Sequence, residues 1–356
     1  MKMLDYIRNQ PEILKKIICS RRQYLKAVTE KTDRNPYDRI ILVGSGSSYN
    51  SCMIAKPLME KLYGREVTVL LPTSDAAFLS LKDEKKLILA VSQEGTSSNT
   101  YAFIQKAKKS VPEATTFAVT AVTGSKLTEV CESTIVIGCG NETVGPKTVG
   151  VTSTVLTLWL VALELKRMEG RISDEKCEDI ITGIMEELGW MPENILTVEQ
   201  WTNSNKEFWS NACSLAFLGK NQYLGIVSES ALKIDETLFI PSSAYDFEEF
   251  LHGPFCLFEK QGVRCVILCS PEDDIDRIRR LKTFGEGKNI SCIMAGAGRD
   301  NGDELEIKLK IKNSDYAVFS LLLPAQIAAA IVSEYMGQPV EGHDFISFSS
   351  MMKSKL

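Results

Sequence analysis

Arg39-Ile-Ile-Leu-Val43 runs directly into Gly44-Ser-Gly-Ser-Ser48, which leads into an amphipathic stretch from Tyr49 to Tyr63. A short β-branched apolar run marks a strand buried on both faces, the situation of a parallel sheet covered by helices. Strand, small-residue turn and helix in that order aim backbone N–H groups at an anion over the helix N-terminus. The unit recurs: Lys86-Leu-Ile-Leu-Ala-Val91 enters Ser92-Gln-Glu-Gly-Thr-Ser-Ser98, and a polar helical stretch from Asn99 to Lys109 follows. Two such units constrain the chain to α/β architecture, with both hydroxyl-rich turns at the carboxyl edge of one parallel sheet.

The alternation continues through the chain. Strands are expected at Arg39–Gly44, Val67–Leu71, Leu87–Ser92, Thr116–Thr120 and Thr134–Gly138, most of them separated by helices. A long apolar helix, Ser153–Gly170, and an acidic one, Ser173–Gly189, lead to a second half that opens the same way. There Ser214–Gly219 repeats the strand-into-glycine entry, Ile226–Thr237 is the helix after it, and Cys265–Ser270, Ile290–Met294 and the edge strand Glu306–Ile311 follow. With 356 residues, 44% of them hydrophobic, two ordinary domains can each bury a core. The expected division is 1–190 and 191–356, with the boundary around Met191-Pro192. In the second half the counterpart of the hydroxyl-rich loop reads Ser270-Pro-Glu-Asp-Asp, which would repel a phosphate. Ligand binding is therefore assigned to the first domain and catalysis to the second.

The catalytic candidates are Glu229-Ser-Ala-Leu-Lys233-Ile-Asp-Glu236 and Phe250-Leu-His252-Gly-Pro254. A carboxylate can carry a carbon-bound proton to the neighbouring carbon of a sugar, and an imidazole can serve the ring oxygen. The plain alternative is a Lys233–Glu236 ion pair one helical turn apart, with a histidine near a helix end. A nucleotide cofactor is not expected. Tyr49 stands where the third glycine of G-x-G-x-x-G belongs, and no acidic residue closes a second strand about twenty positions on. Hydroxyls without a basic cluster suit a small phosphorylated metabolite. A net charge of −5 with no basic cluster argues against nucleic acid as a partner. The longest uncharged runs, Thr148–Leu163 and Tyr316–Ser333, read as core helices rather than membrane spans, because the second holds Gln326 and Pro324 and lacks a basic flank. Ten cysteines scattered singly, with no CxxC pair, read as buried free thiols in a reducing cytoplasm. Two histidines are too few for a zinc site of the usual kind, so no metal is expected.

Together these motifs resemble the double sugar-isomerase (SIS) proteins, most closely the isomerase part of glucosamine-6-phosphate synthase, with related phosphosugar isomerases and deglycases. The resemblance covers nearly the whole chain. It starts at Met3-Leu-Asp-Tyr-Ile-Arg-Asn-Gln-Pro11 and runs through Gly46-Ser-Ser48-Tyr-Asn-Ser51, Ser92-Gln93-x-Gly95, Glu229-x-Ala-Leu-Lys233-x-x-Glu236 and His252-Gly-Pro254. It ends with Gly342-His-Asp344 and Lys353. It implies two SIS domains, each a parallel-sheet, flavodoxin-like αβα sandwich. It implies that Ser47 and Ser48 hold the sugar and its phosphate, and that Ser92, Gln93, Glu94, Gly95 and Ser97 form the phosphate loop. Glu236 would move the proton between C1 and C2, and His252, supplied by a neighbouring subunit, would assist ring opening. Lys353 would form a Schiff base with the open ketose, Glu229 and Lys233 would be framework, and Gly145 would line the substrate. A homodimer or larger homo-oligomer with shared sites follows from that arrangement.

Three positions depart from the family pattern. Glu94 replaces a serine of the phosphate loop, so it either turns away or meets a cationic group on the ligand; the second is favoured. Val149 replaces a lysine, and Phe345-Ile-Ser-Phe-Ser-Ser-Met-Met-Lys353 lacks the usual locking sequence, which leaves Lys353 open to a plain reading as an exposed terminal lysine. A glutamine-hydrolysing module needs an N-terminal cysteine, whereas this chain begins in the linker-like helix, so glutamine-dependent synthesis is not expected. The expected enzyme isomerises an amino- or amine-conjugated sugar 6-phosphate, or releases its amine, with no cofactor. The rivals are a non-catalytic sugar-phosphate-binding regulator and an isomerase of an unphosphorylated sugar.

Overall fold

The computed structural model describes residues 1–32, 34–81, 83–297, 303–338, 340 and 345–356. Its residues pack into two compact units, each built on a five-stranded, wholly parallel sheet.

The first sheet contains β1 (Arg39–Val43), β2 (Glu66–Leu70), β3 (Lys86–Val91), β4 (Thr115–Thr120) and β5 (Ser133–Val136), in the order β2-β1-β3-β4-β5. β1 and β3 are paired in register from Arg39↔Lys86 to Val43↔Ala90. Every residue of β3 is buried, as expected of a central strand covered on both faces. Ile41, Val43, Ile88, Ala90 and Ala118 pack with Phe103 and Ile104 of the helix Ser98–Ser110 on one side. The helix Ser47–Tyr63 packs on the helix Val149–Met168, where the Trp159 indole N–H donates to the Ala55 carbonyl at 3.2 Å. Every residue of this helix from Val149 to Leu163 is buried, so it is surrounded by protein on all sides before its charged last turn, which holds Lys166 and Arg167.

The second sheet contains β6 (Ser214–Gly219), β7 (Ser242–Asp246), β8 (Val263–Cys269), β9 (Cys292–Gly296) and β10 (Glu306–Lys308). Its order, β10-β9-β8-β6-β7, is the order of the first sheet repeated, read from the other edge. Leu218, Cys265, Ile267 and Met294 build its core with Phe250 and Phe258. Both sheets thus have the flavodoxin-like strand order, with a switch point between the first and third strands of each.

β7 is absent from the sequence expectation. Ser242-Ser-Ala-Tyr-Asp246 has neither β-branched residues nor clean alternation, and as an edge strand it pairs only with β6. The acidic helix runs from Asp174 to Ser204, beyond the expected end at Gly189. Met191-Pro192 lies inside it, and the packing changes hands between Gly183 and Ile184. The units are also discontinuous in sequence. Residues 1–11 and 144–148 pack with the second sheet, and 345–356 with the first.

Among the described residues, two helical stretches are long and apolar enough to cross a membrane, Val149–Met168 and Val318–Tyr335. They are 89% and 83% buried inside the protein, so their apolar surface is already covered. All ten cysteines are free thiols.

Candidate active site

Two turns leave the carboxyl ends of the neighbouring strands β1 and β3, at the switch point of the first sheet. After β1 the chain must bend sharply to start the helix at Ser47. A Cβ on Gly44 would lie 2.9 Å from the Ser48 backbone, and Gly46 has φ +56°, so both positions favour glycine. Ser47 and Ser48 are half-buried in the first helical turn, where backbone N–H groups face forward. After β3 the loop turns on a Gly95 N–H to Ser92 carbonyl bond of 2.9 Å, with Gly95 at φ +67°. A Cβ on Gly95 would sit 1.9 Å from Ser125 Oγ. Ser97 caps the helix that follows, its hydroxyl accepting from the Thr100 N–H at 3.4 Å and from the Thr100 hydroxyl at 3.0 Å.

Gln93 is held at both ends. Its carbonyl accepts from the Ala121 N–H at 2.9 Å and the Thr120 hydroxyl at 3.0 Å. Its side-chain amide donates to Glu142 Oε2 at 3.2 Å and lies against Gly150, where a Cβ would come within 2.0 Å. Glu142 is buried, and the same oxygen accepts the Gly150 N–H at 3.0 Å, tying Gln93 to the start of the helix Val149–Met168. Sequence reasoning missed this link, because Glu142 and Gln93 are distant in sequence and match no motif as a pair.

Glu94 does not wait for a cationic ligand. Its Oε2 accepts from Lys355 Nζ at 2.6 Å, so the carboxylate in this loop already has a cation from this chain. A ligand amine would have to share Glu94 with this exposed internal pair. Lys353 lies two residues before Lys355, exposed, with φ +49°. Its N–H donates to the Ser350 carbonyl at 3.3 Å, after the helix Phe345–Met351. The Gly342-His-Asp344 motif lies outside the described residues. Gly145 is exposed in a bend of the stretch Val144–Thr148, which packs with the second sheet.

In the second unit the helix Leu224–Leu238 carries Glu229, Lys233 and Glu236 on one face. Lys233 is fully buried, with Nζ 2.5 Å from Glu236 Oε2 and 3.3 Å from Glu229 Oε1. Burial pushes the Lys233 ammonium towards losing its proton, but the two carboxylates outweigh it and hold it above the usual lysine range. Glu229 is equally buried, whereas the Glu236 side chain keeps 27% of its exposure. Glu236 therefore has one oxygen tied to the interior and a surface open for chemistry.

His252 lies beyond β7, in an exposed turn. Asp246 caps the helix Phe247–Phe250 by accepting from the N–H groups of Glu248 and Glu249 at 2.9 and 3.1 Å. The His252 N–H then donates to the Glu249 carbonyl at 3.1 Å. Phe250 and Phe258 on either side are buried against each other, with ring centroids 5.4 Å apart, and pin the turn that displays the imidazole.

The switch point of the second sheet is already filled. Asp273 Oδ2 accepts from the Ser270 N–H at 2.7 Å, and Asp274 caps the helix Ile275–Gly287 by accepting from the Arg277 N–H at 3.0 Å. Carboxylates from the chain occupy donors there that an anion would use. A cavity of about 540 Å³ in the same unit is lined by Asp5, Arg8, Glu199 and Glu334 among others, and holds none of the candidate residues.

Comparison with known proteins agrees with this geometry. Residues 35–164, which hold the first sheet and both hydroxyl-rich turns, match the SIS domain model. A glutamine–fructose-6-phosphate aminotransferase (isomerizing) from Clostridium perfringens is 29% identical over 267 residues, covering 72% of this chain and 43% of that one. A second from Clostridium tetani is 25% identical over 95% of this chain and 57% of its own length, so the chain spans about half of these curated relatives. Among solved structures, a protein described as a phosphosugar isomerase from Clostridium difficile 630 superposes with a TM-score of 0.92 at 25% identity, covering 100% of this chain and 99% of that one. The full-length superposition extends the likeness to the second sheet, and residues 35–164 of this chain form a SIS domain.

Proposed function

We propose that this protein moves a proton between C1 and C2 of an amino- or amine-conjugated sugar 6-phosphate, either interconverting aldose and ketose or releasing the amine. The observation that carries this reading is the Glu229–Lys233–Glu236 ladder, in which a partly exposed carboxylate is fixed through one oxygen by a buried ammonium. A base that must take a proton from one carbon and return it to the next has to be held still between the two steps, and the ladder holds it. The turns at Ser47–Ser48 and Ser92–Ser97 lie at a sheet switch point with helix N-termini behind them, a setting suited to a phosphate group.

In this reading His252 passes a proton to the ring oxygen as the sugar opens. Glu236 then takes the proton from C2, leaving an enediol or enolamine, and returns it to C1. Reprotonation completes isomerisation; where it leaves a C=N bond at the amine-bearing carbon, water adds to that carbon and the amine departs, giving deamination or deglycation. Lys353 is assigned to an imine with the open ketose, formed with loss of water. The first half of the chain binds the phosphate and the second supplies Glu236 and His252. His252, exposed on its turn, serves a neighbouring subunit of a homodimer. Ten free thiols accord with a cytoplasmic setting.

The test is a thermal-shift screen of hexose, aminohexose and fructosamine 6-phosphates, since a ligand of the native state raises apparent stability. Hits are then followed for exchange of C1 and C2 hydrogens with deuterated solvent. Stabilisation with exchange supports the reading; stabilisation without exchange or turnover by any hit points to a binding protein.

A further inference from the structure

Three consecutive residues at positions 354–356 close over the candidate phosphate loop. The Ser98 N–H donates to the Ser354 carbonyl at 3.1 Å, and the Leu356 N–H donates to the Thr96 carbonyl at 2.8 Å. Between them Ser97 and Lys355 form an antiparallel bridge, and Lys355 Nζ reaches Glu94 Oε2 at 2.6 Å. The side chains of Lys355 and Glu94 remain 54% and 40% exposed, so the ion pair by itself adds little to stability. Its consequence is local. The bridged backbone fixes the ammonium beside the one carboxylate of a loop whose remaining side chains are neutral.

We propose that Lys355 is a positioning residue of the phosphate site, neutralising Glu94 so that the loop accepts a phosphate dianion. This rests on the phosphate-binding reading of Ser92–Ser97 given above. With Lys355 in place, the Glu94 charge is balanced by an ammonium 2.6 Å away and the loop's backbone donors set the field a ligand meets. Without it, Glu94 faces the incoming dianion as a like charge, and the two repel at short range. The same clasp fixes the backbone on both sides of Lys353, because the Ser354 N–H also donates to the Ser349 carbonyl at 3.1 Å.

The experiment is calorimetric titration of fructose 6-phosphate and of inorganic phosphate into the parent, Lys355→Met, Glu94→Ser and the double variant. Lys355→Met should weaken both ligands about tenfold, the scale of one uncompensated like charge near a dianion in a solvated cleft. Glu94→Ser should bind at least as tightly as the parent, and the double variant should recover to within about threefold of Glu94→Ser, a residual within the range of an exposed ion pair. That recovery separates charge compensation from a merely structural role, because a loop loosened by losing Lys355 would stay loosened when Glu94 is also changed. Phosphate affinity unchanged in Lys355→Met, or a double variant as weak as Lys355→Met, overturns the proposal while leaving the phosphate site intact. A parent that binds neither ligand overturns the phosphate reading and this inference with it.

Discussion

Replacing Glu236 by glutamine separates a catalytic ladder from a merely structural one. Lys233 sits 2.5 Å from Glu236 and 3.3 Å from Glu229, and the Lys233 and Glu229 side chains are at most 1% exposed. In Glu236→Gln the amide oxygen still accepts from Lys233, and Glu229 still balances its charge. The loss of stability should therefore stay near the cost of one charged hydrogen bond weakened, about 1–2 kcal/mol. Lys233→Met is the contrast, because it strands the Glu229 carboxylate in the core, at a cost of about 3–5 kcal/mol. A lost general base lowers turnover about 10²–10⁴-fold, or roughly 3–5 kcal/mol of barrier. Glu236→Gln should thus be nearly as stable as the parent and nearly inactive, while Lys233→Met loses both properties. Urea melts give the first quantity, and deuterium exchange at C1 and C2 of a hexose 6-phosphate gives the second. Turnover within threefold of the parent would return Glu236 to an ordinary helix ion pair. The Lys233 contribution should also be insensitive to pH near neutrality. Its folded value is raised, so its stabilisation is complete below the unfolded lysine value and fades only as pH climbs through the folded one.

Three further outcomes are expected. Mixing inactive Glu236→Gln with inactive His252→Ala should regenerate some active sites if subunits share them; demonstrated subunit exchange with no recovered activity would refute the shared site. Gly95→Ala should abolish phosphate binding and cost about 1–3 kcal/mol, because φ is +67° and the added methyl would meet Ser125 Oγ; parent-like affinity for inorganic phosphate would show that the loop relaxes at no cost. Burial raises the Glu187 carboxyl above the usual range, against the opposing pull of the Lys312 and Asn313 N–H groups, which it accepts at 3.0 and 3.2 Å. A raised folded value means stability is present on the acid side and lost as pH rises through that value. Glu187→Gln should therefore gain on the parent in urea melts as pH rises above the unfolded glutamate value, and a difference independent of pH would contradict the burial argument.

The parts of this protein legible in its sequence are those set by local pattern. β1, β3, β5, β6 and β8 follow from apolar runs ending at glycine or serine, since central strands of a parallel sheet leave no polar face, and four further strands follow from shorter runs. The two hydroxyl-rich turns, the Glu229-Lys233-Glu236 spacing and the turn at His252-Gly253-Pro254 are written in contiguous residues, so they are visible before any packing is known. What escaped was non-local or held by edges. β7 draws its order from pairing with β6 rather than from its own side chains, and helix Asp174–Ser204 continues through the expected boundary because residues on each half pack with a different unit. The fate of Glu94 shows the limit most directly. Sequence marks it as a carboxylate in a phosphate loop and leaves its partner open, because an ion pair depends on distance in space. Lys355, 261 positions away along the chain, comes within 2.6 Å only when the segment after Met351 pairs with the loop backbone. Local chemistry decided which groups the site contains; the tertiary fold decided which of them are already satisfied by one another, and so which remain for a ligand.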